Sequence, residues 1–115
     1  MLLYAVTPRI GSYHKMAPSS AAWADIHGGI PTALDAFKVD TGHYPKGTSG
    51  LLELVQQQNG TTNWHGPYSR PDMLLDPWGH KYIYVYPGKH NTNGYDLFSA
   101  GPDGKPGTGD DIVNW

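Results

Sequence analysis

Trp23, Ile26, Ile30, Leu34 and Phe37 recur at spacings of three and four, with Ala33 beside them. That period places them on one face of an amphipathic helix, while Asp25, Asp35 and Lys38 fall off the stripe. No other segment sustains a helical period over such a length, because 15 Gly and 10 Pro punctuate the 115 residues. The stripe is itself interrupted by Gly28, Gly29 and Pro31. Pro31 has no N–H to give the carbonyl of His27, and its ring crowds the preceding turn. Because the apolar phase continues across the break, we expect one kinked α-helix rather than two. It should end at Thr41-Gly42, where Gly42 takes the left-handed cap. Pro8, Gly11 and Pro18 leave the turns upstream irregular.

Downstream the pattern changes. Thr48 and Ser49 are placed to cap a short second helix of about two turns carrying Leu51, Leu52, Leu54 and Val55, closed by Asn59-Gly60. Residues 61–79 hold Trp64, Pro67, Pro71, Pro77 and Trp78 without a period, as expected of an ordered loop pinned by aromatics. Residues 81–86 then alternate, with Tyr82, Tyr84 and Tyr86 on one side and Ile83 and Val85 on the other, and residues 95–100 alternate again. The Gly- and Asn-rich stretch 87–94 between them favours an antiparallel hairpin, to which residues 112–115 can add a third strand. The expected fold class is therefore α+β: an N-terminal α-helix packed on a small three-stranded antiparallel β-sheet. As a single domain 1–115, it divides into a helical stem 1–42, an αβ loop with a short helix 43–80, and a sheet with an acidic loop 81–115.

Composition narrows the function. Eight Lys+Arg against ten Asp+Glu give a net charge of -2 and leave no basic run, which excludes the phosphate-binding footprint of a nucleic-acid partner. With no Cys there is neither a disulfide framework nor a thiolate metal site. The apolar opening, residues 1–6, falls far short of the roughly 20 residues that span a bilayer, so the chain as given is expected to be soluble. Mean hydropathy is only -0.50, but four Trp, eight Tyr and two Phe bury enough area per residue to build a small core.

One loop concentrates candidate chemistry. Residues 99–111 read Ser-Ala-Gly-Pro-Asp-Gly-Lys-Pro-Gly-Thr-Gly-Asp-Asp, three carboxylates among four glycines. Like charges so close repel, whereas Ca²⁺ accepts six to eight oxygens from carboxylates and backbone carbonyls in flexible geometry. The spacing fails the EF-hand pattern. By spacing alone, the loop is either an oxygen-donor cation site of another type or a solvated acidic turn. The six histidines, His14, His27, His43, His65, His80 and His90, form no H-E-x-x-H pair, and no serine sits in a G-x-S-x-G elbow. Asp72 and Asp76, beside Pro71 and Pro77, are turn formers more simply than a glycosidase pair. Trp64, Trp78, Trp115 and the tyrosine row are either core packing or a platform for sugar rings.

Several blocks in order resemble a known family: Thr32-Ala33-Leu34-Asp35-Ala36-Phe37-Lys38-Val39-Asp40 running into Gly42-His43-Tyr44-Pro45, Gly50-Leu51-Leu52-Glu53-Leu54, and Trp64-His65-Gly66-Pro67-Tyr68. Asp76-Pro77-Trp78-Gly79-His80-Lys81-Tyr82, Asp96-Leu97-Phe98-Ser99, Gly101-Pro102-Asp103-Gly104 and Asp110-Asp111-Ile112-Val113-Asn114-Trp115 continue the match. Together they resemble the soluble domain of the major pseudopilins of bacterial type II secretion, general secretion pathway protein G. The resemblance implies a pilin-like helix on a three-stranded sheet, no enzymatic activity, and a loop between the second and third strands folded around Ca²⁺. The implied ligands are the side chains of Asp103, Asp110 and Asp111 and backbone carbonyls near Ala100 and Lys105, with Ser99 as a further candidate. It also implies self-association into a periplasmic pseudopilus with other type II secretion components, and inner-membrane anchoring through an apolar N-terminal stem. The family's peptidase motif, its acidic residue and most of that stem have no counterpart here, so the chain is expected to be a shortened or late-starting form, with residues 1–6 the tail of the stem. Such a form is not expected to assemble a native filament alone. Gly28, Gly29 and Pro31 also depart from the family's regular stem. A type IV pilin-like subunit of another filament, and a calcium-dependent carbohydrate-binding module, are the alternatives; a histidine-based metallohydrolase is more distant.

Overall fold

The computed structural model describes residues 17–115. The expectations for the opening 1–6 and for the turns around Pro8 and Gly11 lie outside them. The helical stem is one rod in three parts, α1 (Pro18–Ala24), a π-helical turn (Asp25–Gly29) and α2 (Ile30–Thr41). Backbone angles stay helical through Ala24, Asp25, Gly29 and Ile30, and the interruption expected at Gly28, Gly29 and Pro31 takes the form of a locally widened turn. The Ile30 N–H reaches the Asp25 carbonyl, five residues back. The wider turn relieves the crowding that a proline ring brings to a regular α-helix. Thr32 Oγ1 donates to the Gly28 carbonyl at 2.8 Å, satisfying one acceptor beside the break.

This turn also decides which face is buried. Ala22, Ile26, Ile30 and Leu34 are all buried at successive spacings of four, and Phe37 follows. On a regular α-helix each step of four drifts by about 40°; the extra residue of the π-turn absorbs part of that drift. Trp23, expected on the apolar stripe, therefore turns outward: it is 58% exposed and stacks on His27 with ring centroids 4.1 Å apart. The helix ends as its sequence predicts, with Gly42 at φ 91° and its N–H on the Lys38 carbonyl at 2.8 Å.

The short second helix is a 3-10 turn, Gly50–Leu54, preceded by Ser49 without a side-chain cap. Ser49 Oγ donates instead to Gln58 Oε1 at 3.1 Å. A second 3-10 turn, Pro71–Leu74, lies within the loop expected to be irregular. Three antiparallel strands follow in spatial order: β1 (Ile83–Val85), β2 (Asp96–Ser99) and β3 (Ile112–Val113). Ile83 pairs with Phe98 and Val85 with Asp96, while Phe98 also pairs with Val113 and Ser99 with Ile112. The strands are shorter than the alternation predicts, because Lys81 leaves the ladder to bridge Leu75, and the Tyr82 N–H donates to the Leu74 carbonyl at 3.0 Å.

Helix and sheet enclose one core: Ala22, Ile26, Ile30, Ala33, Leu34 and Phe37 from the stem meet Leu51, Leu54, Tyr82 and Leu97. Trp64 and Trp78 pack against it, and Trp64 Nε1 donates to the Glu53 carbonyl at 2.7 Å. These two tryptophans serve packing rather than an open sugar-binding platform. Tyr44, Tyr84 and Tyr95 also pack against it, Tyr44 meeting Tyr95 edge-on at 5.1 Å. Burial, then the neighbouring Tyr44 and Asp35, push the Tyr95 phenol up to about 12.

Candidate functional site

The acidic loop joins β2 to β3 and is shaped first by glycine. Gly101 has φ 77°, and a Cβ there would lie 2.5 Å from the Asp110 carbonyl oxygen, so only glycine lets the two ends of the loop meet. Gly104, at φ 68°, accepts the edge of the His80 ring where a Cβ would stand 2.9 Å from Nε2. The loop is thereby pressed against the turn that precedes β1.

Its carboxylates close on themselves. Thr108 Oγ1 donates to Asp110 Oδ1 in a short hydrogen bond and lies 3.3 Å from Asp111 Oδ1. Asp110 Oδ2 accepts the Asp103 N–H at 3.3 Å, Asp103 Oδ1 the Lys105 N–H at 2.9 Å, and Asp111 Oδ2 the Gly107 N–H at 2.7 Å. The Thr108 hydroxyl is the main reason that the Asp110 carboxyl sits below the ordinary carboxylate range; desolvation opposes it. Asp103, Asp110 and Asp111 make no ion pair with a basic side chain among the described residues.

Of the six residues predicted as ligands, Asp103, Asp110 and Asp111 are brought into one loop, with Asp110 and Asp111 around a single hydroxyl. The Lys105 carbonyl also faces this hydroxyl, at 3.0 Å. Ala100 is buried at the end of β2. Ser99 turns the other way: its hydroxyl donates to Asp76 Oδ2 at 2.7 Å and accepts the Gly101 N–H at 3.0 Å. Asp76 is the buried turn former expected of it, its Oδ1 accepting the N–H of Trp78 at 3.1 Å and of His80 at 2.8 Å. Sequence reasoning missed Thr108 and the Ser99–Asp76 link; a Thr two residues before an Asp is the only local signal for the first.

Among the described residues no three His, Cys, Asp or Glu side chains converge as a ready-made metal cluster. The donor set still suits a hard cation: three carboxylates, a hydroxyl and a backbone carbonyl, all oxygen, with negative charge that no basic side chain among the described residues pairs with. Nothing in it suits nucleophilic or acid–base catalysis, because no histidine or lysine side chain among the described residues is hydrogen-bonded to these groups.

A helix on a three-stranded antiparallel sheet is the fold to compare with known proteins. The family model "Type II secretion system (T2SS), protein G" matches residues 9–115. The chain belongs to the type II secretion protein G family. Type II secretion system core protein G of Escherichia coli is 39% identical over 120 residues, spanning all of this chain and 79% of that relative. The core protein G of Pseudomonas aeruginosa is 38% identical over 121 residues, spanning all of this chain and 83% of its own length. The crystal structure of the major pseudopilin from the type 2 secretion system of enterohaemorrhagic Escherichia coli superposes with a TM-score of 0.71 at 31% identity, covering 97% of this chain and 98% of that one. This family member is a structural pseudopilin, not an enzyme. No helix among the described residues is long and apolar enough to cross a membrane.

Proposed function

We propose that this chain is the repeating subunit of a periplasmic type II secretion pseudopilus, associating with copies of itself and with other secretion components, and that one Ca²⁺ in the β2–β3 loop rigidifies it. The filament role is supported by family membership along nearly the whole chain and by the likeness to a major pseudopilin. A type IV pilin-like subunit of another filament would share the fold but not that match. The calcium role rests on one observation: Asp110 and Asp111 are held around one hydroxyl, with Asp103 tied to Asp110, and no basic side chain among the described residues forms an ion pair with them.

Asp103, Asp110 and Asp111 would supply the charge, and the carbonyls of Ala100 and Lys105 the neutral oxygens. Ser99 would act by fixing the first turn of the loop against Asp76. When bound, the ion supplies charge neutralisation and a crosslink between the two loop ends. Ca²⁺ that binds only the folded loop stabilises by RT ln(1 + [Ca²⁺]/Kd), about 2.7 kcal/mol at a hundredfold excess over Kd. Calorimetric titration of CaCl₂ into chelator-treated protein should show a single saturating site that Asp110→Ala removes. Absence of binding heat, with a melting temperature indifferent to millimolar calcium, would overturn the calcium reading and leave the filament reading standing.

A further inference from the structure

Away from the acidic loop, Glu53 is a buried carboxylate with too few partners. It is 4% exposed. Its Oε2 accepts the Gly47 N–H at 3.3 Å and its Oε1 the Thr61 hydroxyl at 3.4 Å, both near the limit of hydrogen bonding. An ionised carboxylate has about four acceptor positions, and leaving them unfilled in a buried site is unfavourable. Gly47, Thr61 and Glu53, the three residues joined by these contacts, all line one open cleft of about 380 Å³.

The other polar groups of the cavity do not supply the deficit. Ser49 Oγ is committed to Gln58 Oε1 at 3.1 Å, and Gln58 Nε2 to the Gln56 carbonyl at 3.1 Å. His43 Nδ1 is engaged with the Tyr44 carbonyl at 2.8 Å. Lys46 lines the same cavity, yet its ammonium makes no ion pair with Glu53 among the described residues. The space is far larger than a single ion, and Glu53 is its only carboxylate, which disfavours a divalent metal. The hydroxyl and amide lining suits a cation that is itself a multiple hydrogen-bond donor.

We propose that this cavity binds a protonated primary amine, its ammonium on the Glu53 carboxylate and its alkyl stem along the cavity wall. The amine belongs either to a small molecule or to a lysine side chain presented by another polypeptide. The site shares no residue with the acidic loop, so it stands or falls independently of calcium.

Titrating n-butylammonium into the ¹⁵N-labelled protein, followed by amide shifts, tests it. The Gly47 and Thr61 amides and the Trp64 indole N–H should shift saturably, and neutral n-butanol should leave them unmoved. Glu53→Gln should weaken binding by about tenfold or more, the loss of one charge-assisted hydrogen bond. Lys46→Gln, which leaves the hydrogen bonds of Glu53 intact, should tighten it by removing a competing positive charge. Tighter binding of N-acetyl-lysine methylamide than of n-butylammonium would identify a protein lysine as the source, and the reverse a small amine. No saturable shift in the wild type, an equal response to n-butanol, or no tightening in Lys46→Gln would overturn the proposal.

Discussion

Asp96 illustrates how much one side chain can organise. It is 2% exposed, and its carboxylate accepts the N–H groups of Lys89 at 2.8 Å, His90 at 3.0 Å and Asn91 at 2.8 Å, with His90 Nδ1 at 3.1 Å. Burial pushes this carboxyl up, but the donors from Asn91, His90 and Lys89 more than reverse it and hold it at about 2, below its ordinary 3.8. A carboxyl depressed in the folded state contributes stability that is complete above its unfolded value and is lost as pH falls through the folded one. Urea melts should therefore lose on the order of 1–2 kcal/mol between about pH 4.5 and pH 2, allowing for solvent screening near the surface. Asp96→Asn should flatten that decline while lowering stability at pH 7; an equal acid decline in the mutant would refute the assignment. Gly101→Ala should cost roughly 1–3 kcal/mol at any pH, because it combines a left-handed backbone with a Cβ 2.5 Å from the Asp110 carbonyl oxygen; chemical denaturation measures it directly. The sequence exposes Asp103, Asp110 and Asp111 because carboxylates among glycines are conspicuous. It conceals Asp96 and Glu53, whose partners are largely backbone N–H groups or residues brought close only by loop geometry.

At the level of elements, the stem shows what a periodic pattern encodes and what it omits. Ile26, Ile30, Leu34 and Phe37 were legible as a buried face because their spacing survives any helix type. Trp23 was not, because the choice between Ala22 and Trp23 depends on how far the π-turn rotates α1, a rotation that arises from three weak helix formers rather than from a period. The two glycines of that turn differ in surroundings, which makes them a test. A Cβ at Gly28 meets nothing within 4 Å, whereas one at Gly29 would lie 2.7 Å from the Met73 methyl. Gly28→Ala should stabilise by about 0.5–1 kcal/mol through the lost backbone entropy of glycine. Gly29→Ala should gain less or nothing, since the end of Met73 must move. Thermal melts of the two variants give the order, and a larger gain at Gly29 would show that the turn is not as described. The 3-10 turn Gly50–Leu54 escaped prediction for a related reason: Leu51, Leu52, Leu54 and Val55 fit a broad apolar face equally well, and Ser49 was drawn away to Gln58.

For the molecule as a whole, the outstanding question is what holds a two-residue strand at the end of a glycine-rich connection. Ordering each loop residue costs about 1–2 kcal/mol, far more than the Ile112–Val113 pairing returns. Part of the answer is Asn114, whose Oδ1 accepts the Leu97 N–H at 3.0 Å and whose Nδ2 donates to the Tyr95 carbonyl at 3.2 Å. Trp115 adds a stack on His90, centroids 3.9 Å apart. These contacts fasten the far end of the loop to the hairpin, but the loop itself is stitched chiefly by exposed hydrogen bonds that backbone N–H groups and the Thr108 hydroxyl donate to like-charged carboxylates. If calcium completes the closure, as proposed, then Asp103→Ala and Asp110→Ala should each loosen β3 and speed cleavage within residues 101–113 under limited proteolysis in calcium buffer, while the stem stays protected. With chelator present, the wild type should be cut as quickly as the mutants, because the same closure has been removed by another route. Unchanged resistance in both mutants would mean that Asn114 and the Trp115 stack suffice, and that the acidic loop contributes no rigidity to a subunit in a filament.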